Sequence, residues 1–247
     1  MSRFGERLRR GLEYARWREL RFAACRCPFC GPSLLVRLRD DETGVRCLRC
    51  AGSAVHLALG HVLRERVPDL AARDVCELST RGALAAFLRR HARSSAFSEY
   101  VDGVARGSER AGVRCEDVQA LTYASGSFDL VTHTEVLEHV PDDALAFAEL
   151  HRVLRAGGAM LFTVPLSGHA RTLERARLRD GAVEHLCAPE YHVDPFRAGA
   201  RILAWRDYGT DIIDRLRAAG FVDVRLHAPA QPIPWTRSRA IIGARKA

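Results

Sequence analysis

Lysine is almost missing from this 247-residue chain: Lys246 is the only one, so nearly all of the 38 basic side chains are arginine. The formal net charge is +8, and residues 1–50 hold twelve arginines against six acids, which is +6 of that total. Such a bias fits arginine-rich solvated faces, and also a surface for anions or nucleic acid. Aromatic residues are few, at 7%, and beyond Trp17 and Phe22 no stacked-aromatic pattern accompanies these cations, which weighs against a nucleic-acid surface. No apolar run approaches the roughly 20 residues that span a bilayer. The first stretch, MSRFGERLRRGLEYARWREL, is basic without the apolar centre of a signal peptide, and a cytoplasmic protein is expected. A GxGxxG turn is absent, which argues against a nicotinamide-dependent oxidoreductase.

Cysteine, in contrast, is concentrated. Five of the eight fall between Cys25 and Cys50. Cys27-Pro-Phe-Cys30 and Cys47-Leu-Arg-Cys50 are two CxxC pairs with 16 residues between them. A tight turn between paired cysteines lets both thiolates face one ion, and two such turns make a tetrahedral site. Leu34–Leu38 and Gly44–Arg46 read as short strands around the turn Asp40-Asp41-Glu42. This is the layout of a zinc ribbon, with Cys27, Cys30, Cys47 and Cys50 as ligands of a structural Zn2+. Cys25 is a spare or stands in for Cys27. His56 and His61, on a predicted helix Ser53–Arg66, are packed or exposed residues once four thiolates complete the site.

The rest of the chain reads as alternating strands and helices. Phe128–Thr132 is a buried strand and Pro141-Asp142-Asp143 opens a helix with early carboxylates at its positive end. Ala144, Phe147, Leu150, Val153 and Leu154 give that helix one apolar face. Gly157-Gly158 is expected to stop it, and Ala159–Val164 is a second buried strand. Such a βαβ unit implies a parallel sheet. Asp74–Leu78 reads as the first strand, Ser79-Thr80-Arg81-Gly82 as a turn and Ala83–His91 as a helix. Gly112–Cys115 is a further short strand.

FDLV, EVLEHVPD and RVLRAGG followed by an apolar strand and Pro165 resemble the middle of a class I S-adenosylmethionine-dependent methyltransferase, of the group sometimes called type 11. The resemblance covers about Arg73–Pro165 well and the C-terminus loosely. It implies a Rossmann-like, mostly parallel sheet with helices on both faces, S-adenosylmethionine as cofactor, and methyl transfer to an unidentified acceptor, a small molecule being favoured. It places the cofactor on Glu77, Ser79, Gly82, Glu99, Tyr100, Asp117, Val118 and Thr134. Glu77 stands for the acid before the family's glycine-rich loop, of which only Gly82 is retained, with serine and threonine to supply hydrogen bonds instead. Glu99, 22 residues on, stands where an acid binds ribose hydroxyls. Asp117 matches the acid that contacts the adenine amino group. The CPxCG wording resembles ribbons in front of some bacterial methyltransferases.

For the acceptor side the sequence offers candidates only. His133, His139 and His192 are candidate general bases. Glu135, Glu138 and His139 would share a face if their segment were helical; a similar ExxEH segment in some ubiquinone-pathway O-methyltransferases holds a divalent cation, while packing is the alternative reading. His185, Glu190, Tyr191, His192 and Asp194 fall in a long polar stretch read as an irregular insertion, about 166–209. The expected organisation is a basic N-terminal helix (1–24), a zinc ribbon (25–52), a connecting helix (53–72) and a methyltransferase domain (73–247). The rival expectation is a non-catalytic ribbon that binds RNA or protein beside a degenerate methyltransferase domain.

Overall fold

The computed structural model describes residues 17–194, 200–236 and 239–247. The chain packs as two compact units. One comprises Met1–Leu70 (described from Trp17), Arg81–His91 and His227–Ile241; the other comprises Ala71–Thr80, Ala92–Leu226 and Ile242–Ala247.

The first unit carries a three-stranded antiparallel sheet of β1 (Arg21–Cys27), β2 (Gly31–Arg37) and β3 (Val45–Cys47). Of the expected N-terminal helix, residues 1–16 lie outside the described part. Residues 21–24 are not its end but the start of β1, where alternate side chains are taken up by pairing with β2. Helix α1 (Ala54–Arg66) starts at Ser53, whose hydroxyl accepts from the His56 amide and meets His56 Nδ1 at 2.9 Å. The turn between the first cysteine pair rests on α1 at Gly60: a Cβ there would lie 2.5 Å from Phe29 and 2.8 Å from Pro28. Helix α2 (Gly82–His91) completes this unit, with Phe87 against Phe29 at 5.5 Å between ring centres.

The second unit is built on eight strands: β4 (Asp74–Glu77), β5 (Ser94–Glu99), β6 (Glu109–Arg110), β7 (Val113–Cys115), β8 (Phe128–Thr134), β9 (Leu154–Thr163), and, late in the chain, β16 (Phe221–His227) and β17 (Ile241–Lys246). Their spatial order is β16-β17-β9-β8-β4-β5-β7-β6. β7, β5, β4, β8 and β9 run parallel, while β17 and β6 pair antiparallel to their neighbours. This is the parallel sheet that the βαβ pattern implied, in the mostly parallel, Rossmann-like α/β form that the resemblance implied. Strand order reverses between β4 and β8, and in such sheets the ligand crevice lies outside the carboxyl ends at that switch. The core joins Val131, Met160 and Phe162 of the sheet to Phe147, Leu150 and Val153 of helix α3 (Asp143–Val153) and to Ile212 and Leu216 of helix α4 (Ile212–Ala218).

Helix α3 begins as expected, with Asp142 Oδ1 accepting from the Leu145 amide at 3.1 Å. Its end differs. The helix stops at Val153 because Leu154 already pairs with Phe128, and the two glycines fall inside β9, in an irregularity that Gly157 turns at φ 73°. The end is capped by the lone lysine: Lys246 Nζ donates to the carbonyls of His151, Arg152 and Leu154 at 2.9, 3.4 and 2.8 Å.

The stretch read as irregular is not. It forms three two-stranded antiparallel ladders from β10 (Leu173–Glu174), β11 (Ala176–Arg179), β12 (Ala182–His185), β13 (Tyr191–Asp194), β14 (Ala200–Leu203) and β15 (Arg206–Asp207). No described helix is long and apolar enough to cross a membrane.

Candidate functional site

Three of the acids singled out in the sequence stand at strand ends on the same side of the second unit. Glu77 closes β4, Glu99 closes β5, and Asp117 follows β7 by two residues. Thr134 closes β8 across the switch point.

Their environments differ. Glu77 is only 1% exposed. Burial pushes its carboxyl up to about 8, and the Thr132 hydroxyl on the neighbouring strand donates to its Oε2. It is therefore a buried group that burial favours in its protonated form, rather than an exposed ligand. Glu99 is more open. Its Oε1 accepts from the Thr80 amide at 3.2 Å and from the Thr80 hydroxyl. In this glycine-poor turn Thr80 thus directs its hydrogen bonds within the protein, to Glu99. Gly82, at φ 92°, opens α2 and belongs to the other unit. Asp117 Oδ1 accepts from the Gln119 amide at 2.9 Å and side-chain Nε2 at 3.1 Å, and Gln119 Oε1 accepts from the Asp142 amide at 3.0 Å. Val118 is buried and Tyr100 is exposed. Glu116, beside Asp117, is a structural acid, held by Arg114 Nε at 2.7 Å and the Thr122 amide at 2.9 Å.

Beyond Thr134 the chain does not become an α-helix. Glu135 takes a positive φ of 52°, and Leu137–His139 is a single 3-10 turn. The expected face of Glu135, Glu138 and His139 is therefore not formed. Instead Glu138 and His139 meet His192 of β13, with the donor atoms of all three within 4.8 Å of one another. His139 Nδ1 donates to the Leu203 carbonyl at 2.8 Å, which leaves Nε2 as the lone-pair nitrogen facing His192 Nδ1 at 3.1 Å. His192 Nε2 looks toward Glu190 at 3.7 Å. His133 is removed as a base by its position: it is fully buried, stacked on Phe162 at 4.6 Å, and burial lowers it to about 3. His185 lies elsewhere, on β12, paired with Ala176.

What holds the 3-10 turn was not visible in the sequence. Arg206 is 4% exposed. It donates to the carbonyls of Leu137, Val140 and Pro141 at 3.2, 2.6 and 2.8 Å and to Glu174 at 3.0 Å. The Trp205 amide donates to the Glu138 carbonyl at 2.7 Å.

Residues 77–162 match the family described as a methyltransferase domain. The matched segment runs from the end of β4 to β9 and so carries every strand end just described. A curated relative, nocamycin O-methyltransferase of Saccharothrix syringae, is 32% identical over 148 residues, 55% of this chain. The chain matches 53% of that relative, about half its length. Among solved structures, a Mesorhizobium loti S-adenosylmethionine-dependent methyltransferase is similar at 19% identity and TM-score 0.49, covering 75% of this chain and 96% of that one. The Burkholderia thailandensis 1,6-didemethyltoxoflavin-N1-methyltransferase, solved with that substrate and S-adenosylhomocysteine, is similar at 18% identity and TM-score 0.45, covering 75% of each chain.

In the first unit Cys27, Cys30, Cys47 and Cys50 bring four sulfurs within 4.8 Å of one another. Cys27–Cys50 and Cys30–Cys47 are each 3.6 Å apart. Sulfurs 2.3 Å from a tetrahedral ion would be about 3.8 Å apart, so the donor set fits zinc. Cys25 is not among them, and His56, half-buried and turned onto Ser53, takes no part.

Proposed function

We propose that the chain binds S-adenosylmethionine at the carboxyl ends of β4, β5 and β7 and transfers its methyl group to a hydroxyl of a small molecule. The observation that carries this reading is the placement of Glu99, Asp117 and Thr134 at strand ends around the switch point, within the segment that matches the methyltransferase domain. Glu99 takes the ribose and Asp117 the adenine edge. Ser79 and Thr80 line the approach to the amino-acid end, with Tyr100 and Val118 beside the adenosine. Glu77 supports the turn from below. The relative's name supports an oxygen acceptor.

S-adenosylmethionine held there would supply the methyl group on a sulfonium sulfur, with S-adenosylhomocysteine as the leaving group once the acceptor oxygen takes the methyl. The chain contributes mainly the alignment of the two reactants. The acceptor proton passes to the His139–His192 pair, whose tautomer is fixed by Leu203. A divalent cation held by Glu138, His139 and His192 is a second reading of the same trio, favoured by the convergence of the three donor atoms. The four cysteines hold a structural zinc ion, closed to substrate. S-adenosylhomocysteine is expected to raise the melting temperature of the protein, and Glu99→Ala to abolish that rise while leaving the unliganded melt unchanged. A rise that persists in Glu99→Ala contradicts the assignment.

A further inference from the structure

Ser79, Thr80 and Arg81 put three side chains into a turn whose positive-φ position is Gly82 alone. A turn of this kind cannot expose a continuous rim of amides as bare backbone does. The structure shows what it does instead. Thr80 turns both of its donors, the main-chain amide and the hydroxyl, onto one oxygen of Glu99, Oε1, 19 residues further on.

The two groups come from adjacent strands. Thr80 is three residues past Glu77, and β4 and β5 run parallel with Glu77 paired to Phe97, so the turn after β4 sits beside the end of β5. An ionised carboxylate accepts only, and its two oxygens are distinct once one is committed. Two donors on Oε1 fix the terminal torsion of Glu99, which is otherwise broad, and leave Oε2 as the oxygen for an incoming ligand hydroxyl.

We propose that Thr80 is a positioning residue for cofactor binding: it orients the Glu99 carboxylate so that Oε2 is presented to one ribose hydroxyl of S-adenosylmethionine. This rests on the functional reading above and adds a residue and a mode to it. The carboxylate holds the ribose with one oxygen, because Thr80 holds the other. Thr80 itself does not touch the reacting atoms. The hydroxyl, not the amide, is the part open to substitution. Valine matches threonine in shape and keeps the main-chain donor, so Thr80→Val removes the charge-assisted hydrogen bond from the hydroxyl to Glu99.

The test is competition calorimetry with S-adenosylhomocysteine and with its 2′-deoxy and 3′-deoxy analogues, on the wild-type protein, Thr80→Val, Thr80→Ser and Glu99→Gln, each checked for an unchanged melting curve. The expected result is that Thr80→Val weakens S-adenosylhomocysteine about tenfold, the size of one such bond. For the analogue lacking the hydroxyl that Glu99 holds, Thr80→Val and wild type bind alike. Thr80→Ser restores wild-type affinity for S-adenosylhomocysteine. Glu99→Gln keeps its amide oxygen on Thr80 and loses discrimination against that same analogue. Equal weakening of all three ligands by Thr80→Val, or no weakening of any, overturns the proposal while leaving the functional reading intact. Absence of S-adenosylhomocysteine binding by the folded wild-type protein overturns both.

Discussion

Glu77 and His133 are two fully enclosed titratable side chains with opposite consequences for pH. Glu77 keeps its proton in the folded state up to about 8, whereas an unfolded glutamate loses it near 4.5. The folded state therefore binds more protons across that window, and the contribution of Glu77 to stability is fully present below 4.5 and lost as pH rises toward 8. His133 stays neutral down to about 3, whereas an unfolded histidine is protonated below about 6.5. Its contribution is lost as pH falls from 6.5 toward 3. Glu77→Gln keeps the hydrogen bond to Thr132 and cannot ionise. It is expected to raise the melting temperature by several degrees at pH 8 and by little at pH 5, where about 1 kcal/mol corresponds to roughly 2–4 °C for a chain of this size. His133→Phe is expected to flatten the acid side of the same curve. Melting temperatures of the three proteins from pH 4 to 8 check both slopes; a wild-type curve with the same slope as Glu77→Gln above pH 5 would contradict the buried, protonated carboxyl. The sequence marks Glu77 as an acid at a strand end but carries no sign of its burial, since the enclosing Thr132 is 55 positions away.

At the scale of elements, Arg206 joins the ladders of residues 173–207 to the turn that carries Glu138 and His139. Three of its acceptors are turn carbonyls, its carboxylate partner Glu174 is its cross-strand neighbour, and Arg215 reaches both Glu174 and Asp143. Arg206→Met leaves those carbonyls and acids facing a buried methyl group. The expected cost is about 3–5 kcal/mol, the range for removing one partner of a buried charged set. Arg177→Ala, which breaks the exposed pair with Glu184 on β11 and β12, is expected to leave the denaturant midpoint almost unchanged. Denaturant midpoints of the two variants check the contrast, and equal costs would contradict the clamp. None of this was legible beforehand. Arg206 is one arginine among many, and its partners lie 32 to 69 residues back. The ladders themselves escaped because strands such as Ala176–Arg179 and Ala182–His185 are only four residues long and exposed along most of their length. Helix α3, with its apolar stripe and Asp142 cap, and the parallel core strands with their continuous apolar runs, were readable for the opposite reason. The error at the end of α3 arose because Gly157-Gly158 resembles a helix stop, while the true stop depends on pairing to Phe128 and on Lys246, over 90 residues later.

At the scale of the whole molecule, two compact units carry two separable chemistries: a four-cysteine cluster in one and the strand-end acids in the other. The cysteine cluster was the most legible feature, because CxxC spacing fixes local geometry by itself. The contact of His139 with His192 was the least, because it joins side chains 53 positions apart. If the cluster holds a structural metal, the purified protein contains about one zinc per chain, and a strong chelator or Cys47→Ser lowers its melting temperature and increases proteolysis within residues 21–50. Metal-free protein with an unchanged melt would contradict that assignment. The central claim concerns the other unit, and it is tested most directly by calorimetric titration of zinc-loaded protein with S-adenosylmethionine and S-adenosylhomocysteine, with Glu99→Ala beside it. Binding of both at micromolar affinity, one per chain and lost in the variant, is the predicted result. No heat from either ligand, in a protein shown to be folded and to contain its zinc, would contradict the account.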